Sequence, residues 1–367
     1  MSKSVTRKLF IVRRESNGIG GAEKVAHRFM KSFSEFYDAE IVHAGKIFDG
    51  VQIRGGRGPS WIKCLRFALS VRNLLAKYPN SLVLSMERGV PGTIYRAGDG
   101  VLRAWMEIKY KHSFKWIFNP LYWVLPILEA WSIKGSTHIV ANSKMVSDEI
   151  KKHHDIKEGE ISVIENGFND RVYFQLNGTE KEKLKTQLDL KSYSMNLLFS
   201  GSGWDRKGLS VAISISAIIL DKYPNSHFWI AGKGSPAKYK KIIKKKELNN
   251  KITFLGSVKN ISKWYQVCDL MVLPTRYDPF SNSCLEALAC GCPVITSEKN
   301  GAKDIILRSN GGIIIPSGAE IKDNFKEQLF SLIEDQVQRK DLIDVSENII
   351  QVEMNKYLKL LERLTSE

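Results

Sequence analysis

The chain has 367 residues, 43% hydrophobic and 10% aromatic, with 55 Lys and Arg against 39 Asp and Glu, a formal net charge of +16. That length accommodates two domains of ordinary size, and the apolar content excludes a disordered chain. The charge divides as about +9 over residues 1–170 and +7 over the rest, so it is not the basic tail of a nucleic-acid module. No RNA-binding aromatic signature or zinc finger is found, and no specific nucleic acid is expected as a partner. The excess implies attraction to anionic partners in general: nucleic acid, a phosphorylated glycolipid or an acidic membrane surface.

The start, MSKSVTRKLFIVRR, is basic but has too short an apolar core for a signal peptide. Residues 8–14 predict a first strand. The turn Ser16-Asn17-Gly18-Ile19-Gly20-Gly21-Ala22-Glu23 follows, then a helical pattern with Val25, Phe29, Met30 and Phe33 apolar. Strand, glycine-rich turn and helix together make a phosphate cradle, although any tight turn has the same need of glycine. Glu23 stands where G-x-G-x-x-G requires its third glycine, which disfavours a dinucleotide-dependent dehydrogenase. Strand 39–43, helix 61–77 and strand 81–86 alternate as in a parallel sheet covered by helices on both faces. Asp99 lies between Gly98 and Gly100 after a β-rich segment. It reads either as an Asp-Gly turn former or as an exposed site acid.

Residues 103–131 combine Trp105, Trp116, Trp123 and Trp131 with Arg103, Lys109, Lys111 and Lys115. Rings flanked by lysines suit a segment seated among anionic headgroups, and they equally suit the core of a helix pair. Asn119, Pro120, Pro126 and Glu129 make 116–131 a poor membrane span, and the prolines are expected to break any single long helix. His153 and His154 are expected to be exposed, and no histidine has metal-ligand spacing. Cys64, Cys268, Cys284, Cys290 and Cys292 form no CxxC pair and read as reduced, packed thiols. Strands 137–141 and 161–164 end the first domain. A turn over 165–170 and a polar stretch over 177–191 follow, and the boundary is placed near residue 172.

The βα pattern restarts at strand 195–200, which runs into Gly201-Ser202-Gly203-Trp204-Asp205-Arg206-Lys207-Gly208 and an apolar helix. Arg206 and Lys207 there can neutralise a diphosphate or form a solvated surface pair. Strand 227–231 runs into Gly232-Lys233-Gly234, and strand 252–255 into Gly256-Ser257-Val258. The lysine run 238–246 reads as a solvated helix face, also suited to an anionic membrane. Strand 270–273 is stopped by Pro274 and followed by a polar loop over 275–282, a helix over 283–290, and strand 293–296. The loop thus empties onto helix N-terminal amides, where an anion is favoured. Asp278 and Glu286 bracket it. A carboxylate at the carboxyl edge of a sheet can accept two hydrogen bonds from a ribose diol, and both acids can equally be solvated. Strand 311–316 and a helix near 344–364 close the chain. Two βα series, each opened by a strand and a glycine-rich turn, predict two doubly wound α/β domains.

These motifs resemble the retaining nucleotide-sugar glycosyltransferases of family 4, nearest to the lipopolysaccharide core glucosyltransferase I branch. The pair Asp278…Glu286 is similar to the E-x7-E signature, with Asp for the first Glu and Ser281 where the family usually has Gly. Ala287-Leu-Ala-Cys-Gly-Cys-Pro-Val-Ile295 continues as the family does, with A-x-A-x-G-x-P-V-I. Gly20-Gly21-Ala22-Glu23 resembles its first-loop G-G-x-E/Q, Arg206-Lys207-Gly208 its R/K-K-G, Gly232–Gly234 its G-x-G turn, and Glu165–Asp170 its P-N-G-V-D linker. The block 91–107 resembles the lipopolysaccharide branch. The resemblance covers nearly the whole chain.

It implies the GT-B fold, α/β with two Rossmann-like domains facing across a cleft: 1–172 for the acceptor, 173–345 for the donor, and a C-terminal helix, 346–367, crossing back onto the first. It implies transfer of a hexose, with retention, from UDP-glucose or a similar nucleotide sugar to a glycolipid acceptor in the lipopolysaccharide inner or outer core. The enzyme would be cytoplasmic, peripheral on the inner face of the cytoplasmic membrane through 103–131 and lysine-rich faces. In that scheme Arg206, Lys207 and the amides of 281–283 neutralise the departing diphosphate. Asp278 lies near the sugar, and Asp99 orients or deprotonates the acceptor hydroxyl. Gly20, Gly21, Gly203, Gly234, Val258, Phe280, Ser281, Asn282, Ser283 and Glu286 bind the donor, with Glu286 at the ribose. No cofactor or metal is expected: the nucleotide sugar is a substrate, two cations serve the diphosphate, and no D-x-D motif stands out. Two other readings stay open, a nucleotide-sugar epimerase of the same fold and a non-catalytic protein binding anionic glycolipid or polyanion.

Overall fold

A computed structural model describes residues 7–14, 21–45, 50–53, 58–111, 113–190, 192–317, 323–338 and 343–366. The chain forms two compact units, Met1–Glu165 with Gln351–Glu367, and Asn166–Ile350.

In the first unit the strands are β1 (Lys8–Val12), β2 (Asp38–His43), β3 (Val51–Gln52), β4 (Leu82–Ser85), β5 (Ile94–Ala97), β6 (His138–Ala141) and β7 (Ile161–Val163). They form one sheet in the order β3-β2-β1-β4-β5-β6-β7, with every pair parallel. Leu9, Phe10, Ile11 and Val12 are wholly buried, as a strand covered on both faces must be. The helix Ile350–Ser366 belongs to this unit from Gln351 onward. Its Tyr357 is wholly buried against Phe29, with ring centroids 4.8 Å apart, and its Glu353 pairs with Arg28.

In the second unit β8 (Met195–Ser200), β9 (Ser226–Ala231), β10 (Ile252–Gly256), β11 (Leu270–Leu273), β12 (Val294–Ser297) and β13 (Gly312–Ile315) form a sheet in the order β10-β9-β8-β11-β12-β13. All its pairs are parallel. Leu197, Leu198, Phe199, Met271, Val272, Leu273 and Ile295 are completely buried, each contributing roughly 1.5–3 kcal/mol. The order reverses between β8 and β11. In an open α/β sheet that is where neighbouring loops part and leave a crevice beyond the carboxyl ends of the strands.

Several expectations are corrected. The units divide after Glu165, not near residue 172. Phe168 lies in the core of the second unit, its N–H donating to Asn348 O at 2.8 Å, so the turn belongs there. The polar stretch 177–191 contains a helix, Gly178–Gln187, started by a reciprocal capping box between Asn177 and Glu180. Pro126 does not break its helix, which runs through it from Leu121 to Gly135; the interruption lies at Pro120. A proline this close to the N-terminus forfeits a single ladder bond. His153 and His154 are not exposed: their side chains are 10% and 9% accessible, and His154 Nε2 lies 3.4 Å from Glu129. All five cysteines are buried, and none forms a disulfide. Burial pushes the Cys284 and Cys290 thiols up to about 11 and about 12, which makes them packing groups and poor nucleophiles.

Candidate functional site

The turn after β8 and the loop after β11 meet at the strand-order reversal of the second unit. Their junction requires glycine. Gly208 has φ +78°, and a Cβ there would stand 1.9 Å from the Pro274 carbonyl oxygen. The close approach brings Arg206 and Lys207 onto the β11 loop. Thr275 Oγ1 and the Arg276 amide both donate to Arg206 O, at 3.0 and 2.8 Å. Arg206 Nη1 donates to Tyr277 O at 2.9 Å and lies 3.8 Å from Asp278 Oδ2. Lys207 Nζ forms a short ion pair with Asp278 and reaches Ser281 Oγ at 3.5 Å. Lys207 and Asp278 are 9% and 6% exposed. Removing either partner of so buried a pair strands the other charge, at a cost of about 3–5 kcal/mol.

The backbone of this loop is fixed by Asn300, which is wholly buried. Asn300 Oδ1 accepts from the amides of Ser281 and Ala302 at 3.2 and 3.0 Å, and Nδ2 donates to Thr296 Oγ1 and Cys284 Sγ at 2.9 and 3.3 Å. Asp278 N donates to Lys299 O and Gly301 N to Asp278 O, each at 2.9 Å, a parallel bridge that fixes the Asp278 main chain. Two expectations change as a result. The Ser281 amide is spent on Asn300, so any anion at the helix Asn282–Ala289 meets the amides of Asn282 and Ser283, which have no intrahelical acceptor. Phe280 is 6% exposed and its ring is part of the core, so only its backbone can face a ligand.

Glu286 is half-buried on the helix that follows. Burial pushes the Tyr173 phenol up, and its charge contact and hydrogen bond with Glu286 push it further. Tyr265 is buried beside the same acid, with its hydroxyl 2.8 Å from Ser200 Oγ at the end of β8. Asn282 Oδ1 accepts from Asn166 Nδ2 at 2.7 Å. Gly203 has nothing within 4 Å of a Cβ position, whereas a Cβ on Gly234 would meet the Trp204 indole at 2.3 Å. Val258 is half-buried just beyond β10. Gly20 lies outside the described residues, and Gly21 opens the helix Gly21–Phe33 after β1. Asn300, Tyr173 and Tyr265 are not among the site residues expected from the sequence. An Asn-Gly turn signals the first; no motif signals the tyrosines.

Asp99 belongs to the first unit, beyond the carboxyl end of β5. Arg13 Nη1 donates to Asp99 Oδ2 at 2.9 Å and to Met86 O at 2.8 Å. Arg88 donates to Gly100 O and pairs with buried Glu129, both at 2.8 Å. Partial desolvation raises the Asp99 carboxyl, but Arg13, Arg88 and Arg96 outweigh it and hold the group at about 2. Asp99 is therefore charged at neutral pH and a weak base. Among the described residues no group of three His, Cys, Asp or Glu side chains could hold a metal ion.

The second unit combines two cations, a buried carboxylate and a half-buried one with helix N-terminal amides at the carboxyl edge of a parallel sheet. Such a set can hold a diphosphate and a neighbouring diol. Residues 180–348, most of this unit, match the family model "Glycosyl transferases group 1". An uncharacterized glycosyltransferase of Methanocaldococcus jannaschii is 29% identical over 190 residues, 51% of this chain and 48% of that protein. The chain spans about half the length of the curated relatives it matches. Among solved structures, WaaG, a glycosyltransferase involved in lipopolysaccharide biosynthesis, superposes with TM-score 0.74 at 16% identity over 98% of this chain and 95% of WaaG. HepE of Anabaena in complex with UDP-glucose superposes with TM-score 0.70 at 17% identity over 98% of this chain and 100% of HepE. The fold is therefore GT-B, two parallel-sheet Rossmann-like units.

Proposed function

We propose that this chain, most of whose second unit matches the glycosyl transferases group 1 model, transfers a hexose from a nucleotide sugar, UDP-glucose first among candidates, to a glycolipid hydroxyl with retention of configuration. The lipopolysaccharide core is the acceptor to test first. The observation that carries the reading is the pairing of Arg206 and Lys207 with Asp278 and Ser281 at the strand-order reversal. Likeness to a UDP-glucose-bound structure supports the donor, and likeness to WaaG supports the acceptor.

In this reading the sugar C1–O bond to the diphosphate breaks while C1 bonds to the acceptor oxygen on the same face. The acceptor proton passes to the leaving diphosphate. Arg206 and Lys207 stabilise the charge developing on that diphosphate, which is where preorganised cations lower a barrier most. Glu286, oriented by Tyr173, accepts from the ribose diol. Asp99, too weak a base for the proton, orients the acceptor hydroxyl.

The deciding experiment is protection of the purified protein from thermal unfolding by a panel of UDP-, GDP- and ADP-sugars. A true donor at 100 times its dissociation constant adds about 2.7 kcal/mol. Protection by none of them, with strong polyanion binding, overturns the enzyme reading. Interconversion of a UDP-sugar without acceptor identifies an epimerase instead.

The same reading places the first unit against an anionic membrane. Phe114, Phe118, Trp123 and Ile127 are 77%, 88%, 52% and 69% exposed, on a 3-10 turn and helix near Lys109, Lys111 and Lys115. Apolar rings with neighbouring lysines suit the headgroup boundary. Among the described residues no helix is long and apolar enough to cross a membrane. Replacing the three lysines by Glu should abolish flotation with vesicles containing anionic lipid; unchanged flotation removes this segment from the docking surface.

A further inference from the structure

The ion pair between Lys207 and Asp278 has a consequence for how the donor enters, granted that this edge is the donor site. We infer that Asp278 is a resident counter-anion for Lys207 and Arg206, which the donor's diphosphate displaces on binding.

Three features support the exchange. The Asp278 carboxylate already occupies Lys207: the ammonium contacts Asp278 Oδ2 and Ser281 Oγ, and Arg206 lies 3.8 Å from the same oxygen. The carboxylate is anchored, because its main chain bridges to Asn300 and its N–H and C=O are both bonded, each at 2.9 Å. The lysine is the mobile partner, an ammonium on a flexible stem that lies along Gly201 with carbons 3.5–3.6 Å from where a Cβ would be. Charge decides the direction. One carboxylate leaves the Arg206–Lys207 pair with a net positive charge, and an incoming diphosphate carries more negative charge than the carboxylate it replaces. When the product leaves, Asp278 recovers Lys207, so a buried ammonium is never stranded.

The test is calorimetry with inorganic pyrophosphate and UDP on the full chain, wild type against Asp278→Asn. Removing the internal anion should tighten both ligands by on the order of tenfold or more, and UDP should become the stronger product inhibitor of the variant. A folded Asp278→Asn protein that binds both ligands no more tightly than wild type overturns the exchange. Should that variant fail to fold, the wild-type structure with pyrophosphate decides. Lys207 Nζ on the anion and more than about 4 Å from Asp278 supports the proposal; a retained contact overturns it. Wild type that binds neither UDP nor pyrophosphate overturns the donor-site reading itself, an outcome distinct from the other two.

Discussion

Two aspartates, one in each unit, lie beyond the carboxyl ends of parallel strands and beside cations, yet their settings are opposite. Asp278 is 6% exposed and faces one ammonium closely. Asp99 has a side chain 44% exposed and is held by Arg13, with Arg88 and Arg96 nearby. The buried acid is a structural charge that a bound diphosphate would have to compete with. The open acid is already charged and turned to solvent, free to accept hydrogen bonds from an incoming hydroxyl. A carboxylate at a sheet edge can thus serve the resting protein or the substrate. Burial and the number of neighbouring cations distinguish the two.

The largest expected effect comes from the buried side of this comparison. Lys207→Ala removes the ammonium that would stabilise a departing diphosphate and should lower kcat on the order of 10²–10³-fold, as for loss of one transition-state donor. The variant also leaves Asp278 without its closest cation, so circular dichroism and thermal unfolding must accompany the kinetics. Near-normal turnover in a folded Lys207→Ala protein would take Lys207 out of the chemistry and leave the pair a purely structural contact.

Why the sequence disclosed one half of this contrast more fully than the other is a matter of spacing. Strands such as 195–200 and 270–273 are short apolar runs between glycine or proline signals, which a doubly wound sheet leaves little freedom to place. Arg206 and Lys207 were legible because Gly208 must approach the Pro274 carbonyl, and that need is written as a glycine. Asn300 was legible as an Asn-Gly turn but not as a clamp: its four bonds go to residues two to nineteen positions away, and only folding assembles them. Tyr173 likewise reaches Glu286 across the sequence with no periodic signal. The helix Gly178–Gln187 was hidden because it buries only Leu184, and its capping box was its sole local mark. From sequence the Ser281 amide is a helix-end donor open to an anion; in the fold Asn300 takes it.

The smaller effect belongs to Asp99 and sharpens the comparison from its open side. The folded carboxyl lies at about 2, below its ordinary value of 3.8. A depressed acid contributes its stability fully above the unfolded value and loses it as pH falls through the folded one. Asp99→Asn should therefore be less stable than wild type at neutral pH, with the gap closing between about pH 4 and about pH 2. Because the side chain is 44% exposed, screening limits that gap to about 1 kcal/mol or less. In catalysis an orienting acid and a general base part company. A base at neutral pH contributes about 10²–10⁴-fold and gives kcat/KM an acid limb at its own titration. A group held at about 2 gives no limb between pH 5 and 8. Asp99→Asn should then lose on the order of tenfold, chiefly in KM for the acceptor, with the pH profile unchanged in shape. A thousandfold loss together with disappearance of an acid limb near pH 6 would make Asp99 the base. It would also mean that bound substrate releases the carboxylate from its arginines, the same exchange inferred for Asp278 with the partners reversed.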